Sequence, residues 1–228
     1  MATETLDRTF VDSILKEIVY PARDELMDSP YFTDLRNGTL TQRRMQGFSL
    51  QHTWFNRALL RGSVLRALKL TDRDDAFRGE LDHIEAERTH PDLCKKFGLA
   101  VGLTDEDFAN EQPLLEVQLH TAIIVAGPLL AGHPAAGRVG GMSDETIVQR
   151  FSTEFMEYLR KPPYNMSEDA IEFFTVHAVV DVDHADAGAE AVAQLAVTDR
   201  DKEIVWEAAK QKPQLKLAKW RAIYDHYA

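Results

Sequence analysis

Apolar residues recur at intervals of three and four through most of the chain, and no stretch alternates apolar with polar long enough, between turn formers, to predict a strand. The pattern predicts an all-α protein. A first helix is expected over Leu6 to Val19, with Pro21 disturbing its end because a proline ring collides with the preceding turn and carries no N–H. DSPYFTDLRNGTLT predicts a turn at Asn37-Gly38, with Thr41 placed to cap the next helix. That second helix is expected from Gln42 to Leu68, with Phe48, Trp54, Phe55, Leu59, Leu60 and Val64 as its core stripe beside polar Gln51, His52 and Arg57.

A third helix is expected from Asp74 to Glu87, a break at Pro91, and then a short helix in DLCKKFGLAVGL ending near Gly102. TDEDF has the threonine and acids of a helix start, and the chain from there through Leu130 reads as helical despite Pro113. GHPAAGRVGGM is the loosest stretch. It is expected to be a loop inside one domain covering residues 1–228, because the helices on either side each have an apolar face that needs the other. Helices are then expected at Asp144 to Arg160, Ser167 to Leu195 and Asp199 to Tyr227, with Lys161-Pro162-Pro163 separating the first two.

The segment from Ala170 to Val197 changes this picture from fold to chemistry. Its first half is apolar nearly all round, which predicts a helix deep in the protein. His177 and Asp181 are four apart and His184 is three further on, so all three project from one narrow strip. An ionisable strip buried without compensation costs several kcal/mol, and a divalent metal is the simplest compensation. Imidazole nitrogen and carboxylate oxygen suit iron, manganese or zinc, whereas a soft site would use thiolates. Asp183 and Asp186 lie off the strip. A pair of octahedral ions needs further carboxylates from other helices, and two regions offer them: Glu80, His83, Glu85, Glu87 and His90 in one, Glu145, Glu154 and Glu157 in the other.

Composition narrows the function classes. With 228 residues, 44% of them hydrophobic, the chain can bury a substantial core. Cys94 is its only cysteine, which excludes an internal disulfide. The 37 acidic against 26 basic side chains give a formal net charge of -11, which repels polyanions and argues against nucleic acid as a partner. MATETLDRTF lacks a basic and apolar leader, and no apolar run approaches the ~20 residues of a membrane span, so a cytoplasmic location and no membrane partner are expected.

These residues resemble the heme-oxygenase-like di-iron oxidases and oxygenases, which share the seven-helix fold of heme oxygenase, the thiaminase-like TenA proteins and the pyrroloquinoline quinone synthase PqqC. SPYFTDLRNGTLT resembles the family's loop into its second helix, HPDLCKKFGLAVGL its histidine-bearing loop and short helix, and EDAIEFFTVHAVVDVDHADAG its final ligand helix. Carried onto this chain, the resemblance implies metal ligands at Glu87, His90, Glu145, His177, Asp181 and His184. Glu145 lies 32 residues before His177, a separation similar to the family's, although Ser143-Asp144-Glu145 also reads as a helix start. The Glu87-x2-His90 spacing is similar to that of the fatty acid decarboxylase that makes 1-undecene, and Glu80 and Glu85 stay open as alternatives.

The resemblance implies two ferrous ions, manganese being possible in one site, with O2 as cosubstrate, an external electron donor and a homodimer. It implies a small carboxylate substrate, an amino acid or medium-chain fatty acid, undergoing desaturation or oxidative C–C cleavage. Gln51, Trp54 and Arg57 are expected to line the substrate cavity, Arg57 as a bidentate carboxylate anchor, unless Trp54 is plain core and Arg57 a surface ion-pair partner. N-oxygenation of an amine, a metal-free TenA- or PqqC-like enzyme and a non-catalytic helical interaction protein are the alternatives. The TenA-like enzymes rely on a cysteine nucleophile, and Cys94 lies just after His90 rather than on a core helix. Heme oxygenase itself fits poorly, because its proximal histidine is on the first helix and Leu6 to Val19 contains none.

Overall fold

A computed structural model describes residues 8–68, 74–130 and 133–228, without the side chains of 75–76, 127–130 and 180–184. Every regular element among the described residues is helical. Helix α1 (Thr9–Ile14), a π turn (Leu15–Val19) and α2 (Tyr20–Met27) form one continuous rod. Pro21 therefore does not end the first helix. It sits in the first turn of α2, where the widened π turn before it relieves the collision that an ordinary α-turn would impose. The expected start at Leu6 lies outside the described residues.

A short helix that the pattern did not predict, α3 (Pro30–Asn37), has Pro30 in its first turn, and Gly38 closes it at φ 71°, where the turn at Asn37-Gly38 is expected. Eight residues leave too little periodic signal between two strong punctuators. Thr41 Oγ1 accepts the Arg44 amide at 3.2 Å, the expected cap of α4 (Gln42–Leu68). Phe48 and Phe55 of α4 are buried as expected, whereas Val64 is 47% exposed, so the far end of this helix leaves the core.

Helix α5 (Asp74–Glu87) has the expected bounds. Helix α6 (His90–Ala100) takes Pro91 into its first turn, so that proline opens the helix. Helix α7 (Asp105–Asn110) is closed by a reciprocal Thr104–Asp107 cap and does not run on into α8 (Leu115–Leu130). Pro113 breaks it, and Gln51 satisfies the freed backbone: its Nε2 donates to Gln112 O at 3.1 Å and its Oε1 accepts the Leu114 amide at 2.9 Å.

The expected loop at GHPAAGRVGGM is instead the first part of a long helix, α9 (Pro134–Leu159), capped by His133. Its glycines serve packing. A Cβ on Gly140 would fall 1.8 Å from Lys212 Nζ, and one on Gly188 would fall 3.1 Å from the Met142 backbone nitrogen. Small residues here let α9 lie closely against α10 (Glu172–Leu195) and α11 (Asp199–His226), which outweighs the intrinsic cost of glycine in a helix. Helix α10 starts later than expected, because Ser167 Oγ accepts the Ala170 amide at 3.2 Å and the chain turns before entering it.

The core is an aromatic stack inside the bundle. Phe155 lies flat on Phe174 with centroids 4.2 Å apart, and Phe48 stacks on Trp220 at 5.1 Å. These rings are sealed from solvent, each removing on the order of 150–250 Å² from water. No helix among the described residues is long and apolar enough to cross a membrane.

Candidate metal centre

Glu87 ends α5 and His90 begins α6, so a two-residue corner, Arg88-Thr89, folds one against the other. His90 Nδ1 lies 2.6 Å from Glu87 Oε2. Burial pushes the Glu87 carboxyl up, but the His90 hydrogen bond and the charges of His90, His83 and His177 outweigh it and hold the group below its ordinary value. It is thus an ionised acceptor in a nearly dry corner.

His177 comes to the same corner from α10. It is buried, and its ring centroid is 4.2 Å from that of His90. Its Nδ1 donates to Phe173 O at 2.7 Å, which selects the tautomer whose Nε2 lone pair faces away from the helix backbone. Phe173 packs against the ring at 4.1 Å and limits its rotation.

Helix α9 runs antiparallel to α10. Two contacts set their register: Gly188 against Met142, and Gln149 Nε2 donating to Ala178 O at 3.3 Å. Glu145 therefore falls level with the stretch of α10 between Ala178 and Gly188, and its Oε2 is shielded from solvent. It sits well inside α9, which corrects the reading of Ser143-Asp144-Glu145 as a helix start. The side chains of Asp181 and His184 lie outside the described set. Among the described residues no group of three or more histidine, cysteine or acidic side chains is close enough to hold a metal ion. The structure brings Glu87, His90 and His177 together and sets Glu145 at the matching level of α9. This donor set, an oriented imidazole and an ionised carboxylate, fits iron or manganese.

The alternative carboxylates are occupied elsewhere. Glu80 is sealed in an ion pair with Arg66 at 2.9 Å and with Arg138 at 3.5 Å. Glu85 pairs with Arg88 on the surface. Glu154 is held by Arg36 and Arg150, and Glu157 by Lys161.

The residues expected to line a substrate cavity do not converge. Gln51 is buried and spends its amide on Glu111, Gln112, Leu114 and the Tyr227 hydroxyl, a structural clamp on the α7–α8 connection. Trp54 is half-buried beside a shallow groove it shares with Arg61, Leu65 and Leu119. Arg57 is exposed.

The residues that sequence reasoning missed are basic. Lys212, Lys216 and Lys219 of α11 are all buried, at 3%, 1% and 0% exposure. Lys216 Nζ pairs with Asp144 Oδ1 at 2.7 Å and donates to Asp144 O at 3.0 Å. His120 Nε2 lies 3.2 Å from the same Oδ1. Burial alone would raise the Asp144 carboxyl; Lys216 and His120 outweigh it and hold the group well below the usual carboxylate range. Lys219 Nζ sits 3.1 Å from His52 Nδ1 and 3.8 Å over the Phe55 ring. Burial, reinforced by Lys216, pushes the Lys219 amine down to about 7. A signal was present: the buried stripe Val205, Ala209, Lys212, Lys216, Trp220 and Ile223 keeps helical spacing, with lysines standing at apolar positions.

Comparison with known proteins bears on this site. A sequence profile of the iron-containing redox enzymes matches residues 75–216. The 4-aminobenzoate synthase of Nitrosomonas europaea is 23% identical over 229 residues, spanning 92% of this chain and 87% of that protein. A domain of unknown function with a heme oxygenase-like fold from Shewanella denitrificans superimposes with a TM-score of 0.83 at 15% identity, over 95% of this chain and 93% of that one. A TenA homologue from Pseudomonas syringae pv. tomato gives 0.83 at 13% identity over 98% of both chains. A TenA homologue from Pyrococcus furiosus gives 0.79 at 15% identity over 95% of this chain and 100% of that one. At such identities the structural likeness shows the fold, a heme-oxygenase-like helical bundle.

Proposed function

The chain belongs to the iron-containing redox enzymes, and on that footing we propose that it is an O2-dependent non-heme di-iron oxidase. Its substrate in this reading is a small carboxylate, an amino acid or medium-chain fatty acid, altered by desaturation or oxidative C–C cleavage. The observation that carries the reading is the meeting of His90 and His177 from separate helices, rings 4.2 Å apart, with the Glu87 carboxylate 2.6 Å from His90. Burying two imidazoles and a carboxylate in one corner is costly unless a cation completes it.

Glu87, His90 and His177 would hold the metal together with Glu145, Asp181 and His184. When bound, a pair of ferrous ions supplies electrons to O2 jointly. The protein orients and excludes. The Nδ1 bond to Phe173 O fixes the His177 ring, the α5–α6 corner fixes Glu87 against His90, and Phe173 and Phe174 keep water from the buried side.

A metal-free TenA-like reading would need a thiolate nucleophile. Cys94 is sealed in the core, and burial pushes its thiol up to about 12, so it stays protonated and unreactive at neutral pH.

Anaerobic titration with ferrous iron, followed by O2, tests the proposal. Binding of two ions per chain is expected, then a transient visible absorption whose formation or decay responds to one class of acid. A purified protein that takes up neither iron nor manganese would refute it.

A further inference from the structure

The interior corner bounded by α4, α8, α9 and α11 carries more positive than negative charge. Lys216 is paired with Asp144, but Lys212 and Lys219 have no carboxylate within 4.0 Å among the described residues. Among the described residues Lys212 Nζ meets the Ala136 carbonyl, at 2.8 Å, and Lys219 meets the neutral ring of His52 and the face of Phe55. A further donor is left over in the same corner: Asn56 Nδ2, one turn beyond His52 on α4, is buried without a hydrogen-bond partner among the described residues. Buried donors in this number without an acceptor are uncommon in a finished core.

We infer that this corner is the enzyme's acid-binding subsite, in which Lys219 takes the substrate carboxylate, with Asn56 as a neighbouring donor, and that it selects a fatty acid over an amino acid. The inference rests on the oxidase reading for the identity of the ligand as substrate. The carboxylate supplies the negative charge and acceptor oxygens that the corner lacks. The rings of Phe48, Phe55 and Phe151 pack around His52, so the corner is apolar outside its charged groups. An α-ammonium group would enter a field already set by three lysines, and the single nearby carboxylate, Asp144, is spent on Lys216 and His120. Like charge in a dry interior therefore rejects the amino acid.

Calorimetry on the full chain tests this with three ligands of one chain length: a medium-chain fatty acid, its 2-amino derivative and the corresponding alcohol. At pH near 6.5 the fatty acid should bind at least ~10-fold more tightly than either of the others, the range of one charge-assisted hydrogen bond. Lys219→Met should weaken the acid by ~10- to 100-fold and leave the alcohol unchanged. Acid affinity of the unaltered protein should fall as pH rises above about 7, where Lys219 loses its proton. Other groups facing Lys219 are Lys216 and Asp144, the Cys94 thiol, and the two imidazoles. His120 is pushed down to about 4 by burial, and His52 well below its ordinary value by burial and then Lys219, so a loss beginning near 7 does not come from either. Lys212 is lowered to about 7 as well, so the profile is also read on Lys212→Met, which should keep it; this serves even if Lys219→Met does not fold.

Equal acid affinity in Lys219→Met and the unaltered protein would overturn the subsite, as would preference for the amino acid or absence of acid binding. Iron stoichiometry, measured on the same samples, separates the two readings. Normal iron loading with lysine-independent acid binding defeats the subsite alone; lysine-dependent acid binding in a chain that takes no iron defeats the oxidase alone.

Discussion

The protein holds two buried polar clusters that share Phe173 as a partition, its ring 4.1 Å from His177 on one side and 5.4 Å from His52 on the other. The first, Glu87, His90 and His177, is built of imidazoles and an ionised carboxylate, and in the oxidase reading a cation completes it. The second, Lys212, Lys216, Lys219, His52 and His120 around Asp144, has the opposite imbalance, and in the acid-subsite reading an anion completes it. Both charge the fold for desolvation. The comparison teaches that cost alone does not say what a buried cluster is for; the sign of what is left over does.

The largest expected effects break the first cluster. His177→Ala and Glu87→Gln should each weaken iron binding by more than about 100-fold, since loss of a direct ligand exceeds the loss caused by its supporting groups, as read by metal titration on protein with unchanged helical circular dichroism. Glu80→Gln is the counter-case. It should load iron normally while costing roughly 2 kcal/mol in chemical denaturation, because Arg66 and Arg138 lose a sealed partner yet keep some contact with water. Iron loss in Glu80→Gln, with normal loading in Glu87→Gln, would reassign the first carboxylate ligand.

Next in size is the aromatic wall. Phe174→Ala removes the ring stacked on Phe155 and should cost about 3–5 kcal/mol in thermal or denaturant unfolding. A much smaller loss would mean that the core around Phe155 relaxes to fill the space the ring leaves.

The second cluster should show itself through pH. Burial lowers Lys212 and Lys219 to about 7, while lysines in an unfolded chain titrate near ~10.4. Between those values the unfolded chain holds more protons, so stability rises with pH; the penalty is fully present below about 7 and is relieved towards about 10. Relative to a Lys212→Met/Lys219→Met double variant, the unaltered protein should gain at least ~1 kcal/mol between about pH 6.5 and pH 9. A flat difference would mean that neither lysine is desolvated. The smallest effect is expected at Arg57→Ala, an exposed side chain outside both clusters, which should change stability by no more than ~0.5 kcal/mol and leave acid binding intact.

The helical class and the spans of α4 and α5 were legible along the chain, because each is a local periodicity interrupted by a recognisable cap or corner. The early part of α9 was not. Its glycines read as a loop until Lys212 and Met142 are seen pressing against them from the neighbouring helices. The lysine row failed for a related reason: lysine is so seldom buried that its place in an apolar stripe carries little weight until partners from α4, α8 and α9 are known.

Sequence by itself determined which segments coil, which stripe of each helix is apolar and which helix carries closely spaced imidazole and carboxylate groups, since these follow from the geometry of one helix. Only the tertiary structure decided that Glu87 rather than Glu80 or Glu85 stands by His90, that Gln51 is a clamp, and that three lysines face inward. Those outcomes depend on which groups from distant segments meet in a dry interior, where a partner at about 3 Å outweighs any propensity that a residue shows in isolation.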